Sequence, residues 1–393
     1  MNKQERKIFG TLFFSIFAAV TGVGIVVPLL PVYAHGLGAG GLYIGLIFGA
    51  FSLSRTVFMP YFGRLSDKKG RKPYIVAGLM AYALISIAFI FSTGIKTLIV
   101  IRFFQGIASA MIMPITQAYI GDITPPGREG FSMGLFNMSV FCGLSIGPLA
   151  GGMINDHFSL STAFTAMGIL ALIGFFSSLV LLPPVLSEPA MRCSKKPSGW
   201  KRLLKDRNIA GFFSFRLAYT ICIGIIWGFL PVFAAAEFSL SSSAIGILVM
   251  LGVLISGLIH TPMGFLADKI NRRMIVLAGG LITGFAVLSF AWAGGFSDLF
   301  LASVLFGIGG GVSMPALMAL AVLKGSRANA MGSVMALLTM AHSLGMLVGS
   351  LLGGLTMDIF SLRLAFGLGS AAMVAGTVLF MFCTAPKKMP WKM

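Results

Sequence analysis

Twelve runs of predominantly apolar residues, each about 20 residues or longer, leave this chain few ways to fold. They fall near 9–33, 42–62, 73–93, 97–121, 130–154, 162–183, 208–236, 243–265, 273–293, 298–322, 329–355 and 364–384. Each is long enough to cross roughly 30 Å of hydrocarbon as a helix. Backbone groups in lipid must bond within their own segment, so continuous apolar runs of this length are helices and not barrel strands. With 57% hydrophobic and only 10% charged residues, the chain has too little polar surface to cover a soluble core. The expected class is an all-α membrane protein of twelve transmembrane helices.

Between the second and third runs lies a compact charged turn, Gly63 to Lys72 (GRLSDKKGRK). Gly264 to Arg273 (GFLADKINRR) repeats it 201 positions later, pairing Leu65 and Asp67 with Leu266 and Asp268. Further echoes follow: Pro31-Val32 and Pro231-Val232, Met113-Pro114 and Met314-Pro315, Asp156 and Asp358. Repetition over half the chain implies two homologous halves, 1–183 and 208–393, joined by a polar linker over 184–207. Within that linker, Trp200 to Lys205 has the alternation of a short interfacial helix.

The net charge of +18 raises the question of nucleic acid, but the placement of the charges answers it. With alternate loops assigned to one side, 24 of the 29 basic residues fall together there, and only Lys96 and Arg363 lie in loops opposite. The positive-inside rule puts both termini and the linker in the cytoplasm, and the protein in a cell inner membrane. Anionic lipid headgroups, not nucleic acid, are the partners of such a belt. The first run continues through Gly22, Gly24, Pro28 and Pro31 without a small-residue cleavage site, so it reads as a retained helix. Four cysteines without paired spacing predict neither a disulfide nor a metal site, and no cofactor is expected.

Ionisable groups inside the spans are the default functional candidates, because each is costly to place there. They are Arg55 in the second span, Arg102 with Gln105 in the fourth, Arg216 in the seventh, His260 in the eighth and His342 in the eleventh. Arg55 could instead snorkel to the nearby interface, and either histidine could serve a structural hydrogen bond. All eleven acids fall in loops or at span ends, so cations and no carboxylates mark the interior. An interior of that sign disfavours lipophilic cations and tolerates neutral or anionic amphiphiles.

In the fifth span Gly143, Gly147 and Gly151 recur every fourth residue, a spacing that lets two helices approach closely, and Gly345, Gly349 and Gly353 repeat it. Glycines 307 and 309–311 sit inside an apolar run with no following Lys-Ser/Thr, which excludes a nucleotide loop. No nucleophile–base pair or metal cluster lies in the spans, so an enzyme is not expected. A sensor would need a sizeable soluble output domain, for which the spans and linker leave no room.

These stretches together resemble the major facilitator superfamily over essentially the whole chain. Gly63-x-Leu65-x-Asp67-x-x-Gly70-Arg71-Lys72 is similar to the family's signature between helices 2 and 3, and Arg102-x-x-Gln105-Gly106 to its second motif. Gly143-x-x-x-Gly147-Pro148-x-x-Gly151-Gly152 resembles the motif of proton-driven exporters. Gly22-x-Gly24-x-x-x-Pro28-x-x-Pro31 resembles the first helix of the twelve-helix drug–proton antiporters.

The resemblance implies two pseudo-symmetric six-helix bundles that rock about a central cavity lined mainly by helices 1, 4, 7 and 10. It also implies a cytoplasmic latch of Gly63, Asp67, Gly70, Arg71, Lys72, Asp122 and Asp268. In it Asp67 could face the N-terminal end of a helix of the other half, or pair with Arg71, which reaches Asp122. One departure matters: where many relatives of this branch carry an acid in helix 1, this chain has Phe17-Ala18-Ala19-Val20-Thr21. A proton carrier must then be sought at His260 or His342, at Asp67 or Asp122, or at Glu237. The function expected is export of small hydrophobic or amphiphilic compounds by a monomer using proton antiport. The alternative is an uncoupled or proton-symport carrier of an organic anion or metabolite.

Overall fold

The computed structural model of the chain describes residues 3–124, 129–183, 206–327 and 330–385. Its twelve helices are α1 (Lys3–Gly36), α2 (Gly41–Lys69), α3 (Lys72–Ile90), α4 (Ile95–Ile123), α5 (Glu129–His157) and α6 (Leu160–Leu181), then α7 (Arg207–Phe238), α8 (Ser242–Lys269), α9 (Arg272–Ala291), α10 (Phe296–Arg327), α11 (Met331–Ile359) and α12 (Leu362–Cys383). All twelve contain a stretch long and apolar enough to cross a membrane. The expected interfacial helix at 200–205 and most of the 184–207 linker lie outside the described residues, as does the side chain of Asp268.

Several helices run past their apolar stretch, and this changes the reading of the charged turn. Gly63 to Lys69 is not a turn but the last two turns of α2, and Gly264 to Lys269 is likewise the end of α8. Charges mark where a helix leaves hydrocarbon, but a solvated helix keeps its backbone bonds, so polarity did not end it. The chain reverses only at Gly70, whose φ of 90° is a conformation that favours glycine, before α3 begins with Lys72-Pro73.

Each half is built on the same plan. In the first, α1 packs on α5 and α6, α2 on α4, and α3 on α4 and α6; in the second, α7 packs on α11 and α12, α8 on α10, and α9 on α10 and α12. Two hydrophobic cores result, one per half, and Phe229 and Val232 of α7 reach into the first. Tight pairs depend on the glycine faces. A Cβ on Gly147 would lie 2.7 Å from the Gly24 Cα of α1, and one on Gly349 would collide with the Ile221 carbonyl of α7. Lipid offers no hydrophobic drive between helices, so such close backbone contact supplies the attraction through dispersion.

Pro148 and Gly152 face elsewhere. A Cβ on Gly246 of α8 would collide with the Pro148 carbonyl, and one on Gly152 with the Ser242 carbonyl of α8. Across the pseudo-twofold axis, Gly45 of α2 meets Ser350, and Gly41 meets Gly354, both of α11. The exporter-like stretch on α5 therefore has two functions in packing. Its 143/147/151 face holds its own half together, and its 148/152 face meets the other half.

The glycine contacts predict separable effects. Gly349→Val should destabilise the protein by about 1–3 kcal/mol through overpacking. Gly63→Ala, at a helical position with nothing within 4 Å of its Cβ, should instead leave the protein as stable or raise its stability by about 0.5–1 kcal/mol. Thermal unfolding of the detergent-solubilised protein followed by circular dichroism would compare them; equal melting temperatures for Gly349→Val and the parent would contradict this packing.

Candidate transport cavity and its gates

The two halves begin on the same face, which carries the helix starts at Lys3 and Arg207 and is called here the terminal face. On the opposite face the halves are joined by a pair of carboxylates. Asp156, at the end of α5, accepts hydrogen bonds from the backbone N–H of Ser242 and Ser243 at 2.9 and 2.7 Å. Asp358, at the end of α11, accepts from Gly41 and Leu42 at 2.5 and 2.8 Å. Each aspartate thus caps the N-terminus of a helix in the other half, where unpaired N–H groups and the positive dipole end favour an anion. Asn155 adds a hydrogen bond to the Ser242 hydroxyl at 2.8 Å. The repeat of the two aspartates is visible in the sequence, but their role is not. Their signal was present: each lies at the end of a span, near the small residues that let it reach a helix start in the other half.

The terminal face is arranged differently. Arg71, only 7% exposed, donates to the Asp122 carboxylate through Nε at 3.0 Å and to the Ser66 hydroxyl at 2.9 Å, and its guanidinium also pairs with Asp67. All four residues belong to the first half. Of the two arrangements foreseen for Asp67, this is the pairing with Arg71 and Asp122. The start of α11 has no side-chain cap, and Gly63 and Gly264 have open space around their Cβ positions. Among the described residues, the carboxylate caps join the halves at the opposite face, whereas the Arg71 network stays within one half.

Between them lies a cavity of about 570 Å³. It takes residues from α1, α4, α7 and α10, as the resemblance implied, but also from α2, α5, α8 and α11, which supply much of its polarity. Arg55 of α2, Arg216 of α7, His260 of α8 and His342 of α11 all line it. Arg216 donates to the His342 ring at Nδ1, 3.3 Å away, and its other amino group lies 2.8 Å from the Met314 sulfur. That contact leaves Nδ1 of His342 as the acceptor. His260 stacks obliquely on Phe141 of the other half, with ring centroids 5.5 Å apart. The Nε atoms of Arg55 and Arg216 and the Nδ1 atom of His260 are enclosed and have no hydrogen-bond partner in the protein. Among the described residues no carboxylate lines the cavity.

Arg102 and Gln105 do not line it. Arg102 is 3% exposed, lies over the Phe48 and Phe51 rings of α2, and donates to Gln105 Oε1 at 2.6 Å and to the Ile47 carbonyl. Dispersion, cation–π attraction and these bonds keep a buried guanidinium in place and tie α4 to α2. Glu237 is also engaged outside the cavity, paired with Arg363 at 2.7 Å within the second half. Arg102 is thus separated from the embedded cations with which it was expected to act, because a three-residue spacing shows a shared face but not what the face meets.

A family model of the Major Facilitator Superfamily matches residues 12–233 and again 212–391, and the chain belongs to that family. It is 29% identical over 370 residues to the MFS-type transporter MJ1560 of Methanocaldococcus jannaschii, covering 92% of this chain and 94% of that one. It is 28% identical over 397 residues to Multidrug resistance protein 2 of Bacillus subtilis, covering 96% and 95%. The crystal structure of a point mutant of the nucleoside transporter NupG superimposes with a TM-score of 0.83 at 13% identity, covering 96% of this chain and all of that one. The protein is a multi-pass membrane transporter of small molecules and not an enzyme.

The two aspartate caps yield the next prediction. Each should contribute about 1 kcal/mol to closure of the opposite face. Replacing both with alanine should then shift the balance toward the other conformation by roughly 30-fold. A cysteine placed at Val32, in the cleft beside Asn155 and Ser242, would report this as faster labelling by a membrane-impermeant maleimide. Unchanged labelling would remove the caps from the gate.

Proposed function

We propose that this protein is an inner-membrane secondary transporter that exports small hydrophobic or amphiphilic compounds by alternating access, with protons moving the opposite way. The observation that carries the reading is the cavity between the halves, whose face with few basic residues is joined by the two aspartate caps. Its entrance is assigned to the face rich in basic residues, where no such cap joins the described residues. The positive-inside rule puts the basic face in the cytoplasm, so the cavity loads from the cell interior. Its walls combine aromatic and thioether side chains with a few convergent polar groups, the usual chemistry of a small-molecule site. The Bacillus subtilis relative, a multidrug resistance protein by name, is consistent with export.

Closure on the cytoplasmic face would use the latch. Asp67, 60% exposed at its side chain and already held by Arg71, lies on the face where α11 begins without a cap. Rocking of the halves would bring the two features together, as Asp156 and Asp358 already meet their helix ends on the other face. Gly63 would then be needed for close approach, which explains a glycine that now has empty surroundings.

Proton coupling falls to the histidines, because among the described residues the cavity contains no carboxylate to carry the proton. A proton on Nδ1 of His342 would remove the acceptor that holds Arg216 and place two cations side by side. Occupancy of that nitrogen and the position of Arg216 are thereby linked, as antiport requires.

The test is internal pH in proteoliposomes during addition of amphiphiles to the parent and to His260→Gln and His342→Gln. Substrate-dependent proton movement in the parent, reduced at least about tenfold in His342→Gln, is the expected result. Substrate flux with no proton movement in any form would overturn the antiport. In the same assay Asp67→Asn should slow turnover about tenfold while leaving the melting temperature within a few degrees. Full-rate transport by a well-expressed variant would dismiss the latch.

A further inference from the structure

We propose that the cargo is an amphipathic organic anion whose single acidic head is held between Arg55 of α2 and Arg216 of α7. The inference deepens the transport reading above and rests on it for the cavity's role as a substrate site. Four observations point the same way. The two guanidiniums line one cavity from opposite halves, and each has an enclosed Nε with no partner in the protein. His342 lies within electrostatic reach of both. Among the described residues no Asp or Glu lines the cavity to balance them. The remaining wall offers Phe51, Phe141, Trp227, Phe306, Met113 and Met346 to an apolar body.

Two cations with no counter-charge are expensive to keep in a low-dielectric cavity. A carboxylate or sulfonate entering between them supplies the missing charge. The planar guanidinium fork matches such a head through paired hydrogen bonds. A head bonded to both arginines links the two halves through the ligand, so occupancy favours drawing them together. Arg102, by contrast, does not line the cavity and is held by aromatic faces and Gln105, whereas Arg216 lines it and would exchange its contacts with His342 and Met314 for the acid head. A lipophilic cation of the same shape would meet two like charges, which excludes it by repulsion.

A matched set of phenylbutyrate, phenylbutanol and phenylbutylamine isolates the head from the body. Isothermal titration calorimetry would use the full chain in phosphatidylcholine nanodiscs, which lack anionic lipid. The acid should bind at least about tenfold more tightly than the alcohol, and the amine most weakly. Arg55→Gln and Arg216→Gln should each weaken the acid about tenfold while leaving the alcohol within about twofold. If a glutamine variant does not fold, Arg55→Lys and Arg216→Lys keep the charge but lose the fork, and should weaken the acid about threefold or more. Equal affinity for the three compounds, tighter binding of the amine, or acid binding indifferent to both arginines would overturn the proposal.

Competition by oleate separates two sources of the same head: displacement of phenylbutyrate assigns the acid to the lipid pool, and its failure to the aqueous pool, with the arginine grip supported in both. Vesicle flux separates this inference from the reading beneath it. Export of phenylbutanol without preference for the acid leaves the exporter and removes the anion site. Preferential acid binding without vectorial flux keeps the site and removes the exporter.

Discussion

The structure depends on how closely two backbones can approach when no water drives them together. In hydrocarbon, apolar side chains gain nothing by leaving lipid for protein, so helices associate through dense contact and a few polar bonds. Glycine and serine allow this by removing side chains from the contact. Gly147 against Gly24 and Gly349 against Ile221 fasten helices within a half, while Gly152 against Ser242 and Gly354 against Gly41 fasten one half to the other. The same chemistry makes both permanent and temporary joints. What distinguishes them is backing: the first kind is backed by the bulk of a hydrophobic core, and the second by a carboxylate at each joint and a few apolar contacts such as Phe229 and Val232.

A joint of that strength suits alternating access. A cap at a helix N-terminus contributes about 1 kcal/mol, enough to bias two conformations but not to lock one. A bound small molecule need only contribute a few kcal/mol to reverse such a bias. The terminal-face network around Arg71 has the corresponding parts in reserve, engaging its carboxylates within one half while the other face is sealed.

Much of this architecture was legible in the sequence. Twelve apolar runs specify twelve helices because lipid permits little else, and the 201-residue repeat announces two halves. The placement of Arg55, Arg216, His260 and His342 around one cavity also follows the rule that embedded polar groups face the interior. Other features were not legible for physical reasons. Charge at Gly63 to Lys69 looked like a turn because hydropathy reports the solvent around a helix and not where its hydrogen bonds stop. Arg102 looked like a cavity residue because its partners, Phe48 and Phe51, lie on another helix at no fixed distance along the chain. Asp156 and Asp358 were not legible as caps because a repeated acid at a span end gives its position but not the helix start it meets in the other half.

The pseudo-twofold frame also bears on the history of the chain. The caps are duplicated: Asp156 serves Ser242 and Ser243 as Asp358 serves Gly41 and Leu42. The cavity is not. In the register set by the helix contacts, the position of Arg55 is taken in the second half by Ser256, and that of Arg216 in the first half by Ile16. His260 and His342 correspond to Met59 and Val140. Repetition of the seals but not of the chamber is what doubling of one ancestral half, followed by separate change in the two copies, would leave. Cargo chemistry and the repeated seals thus occupy different residues, and a change of cargo needs no change of machine.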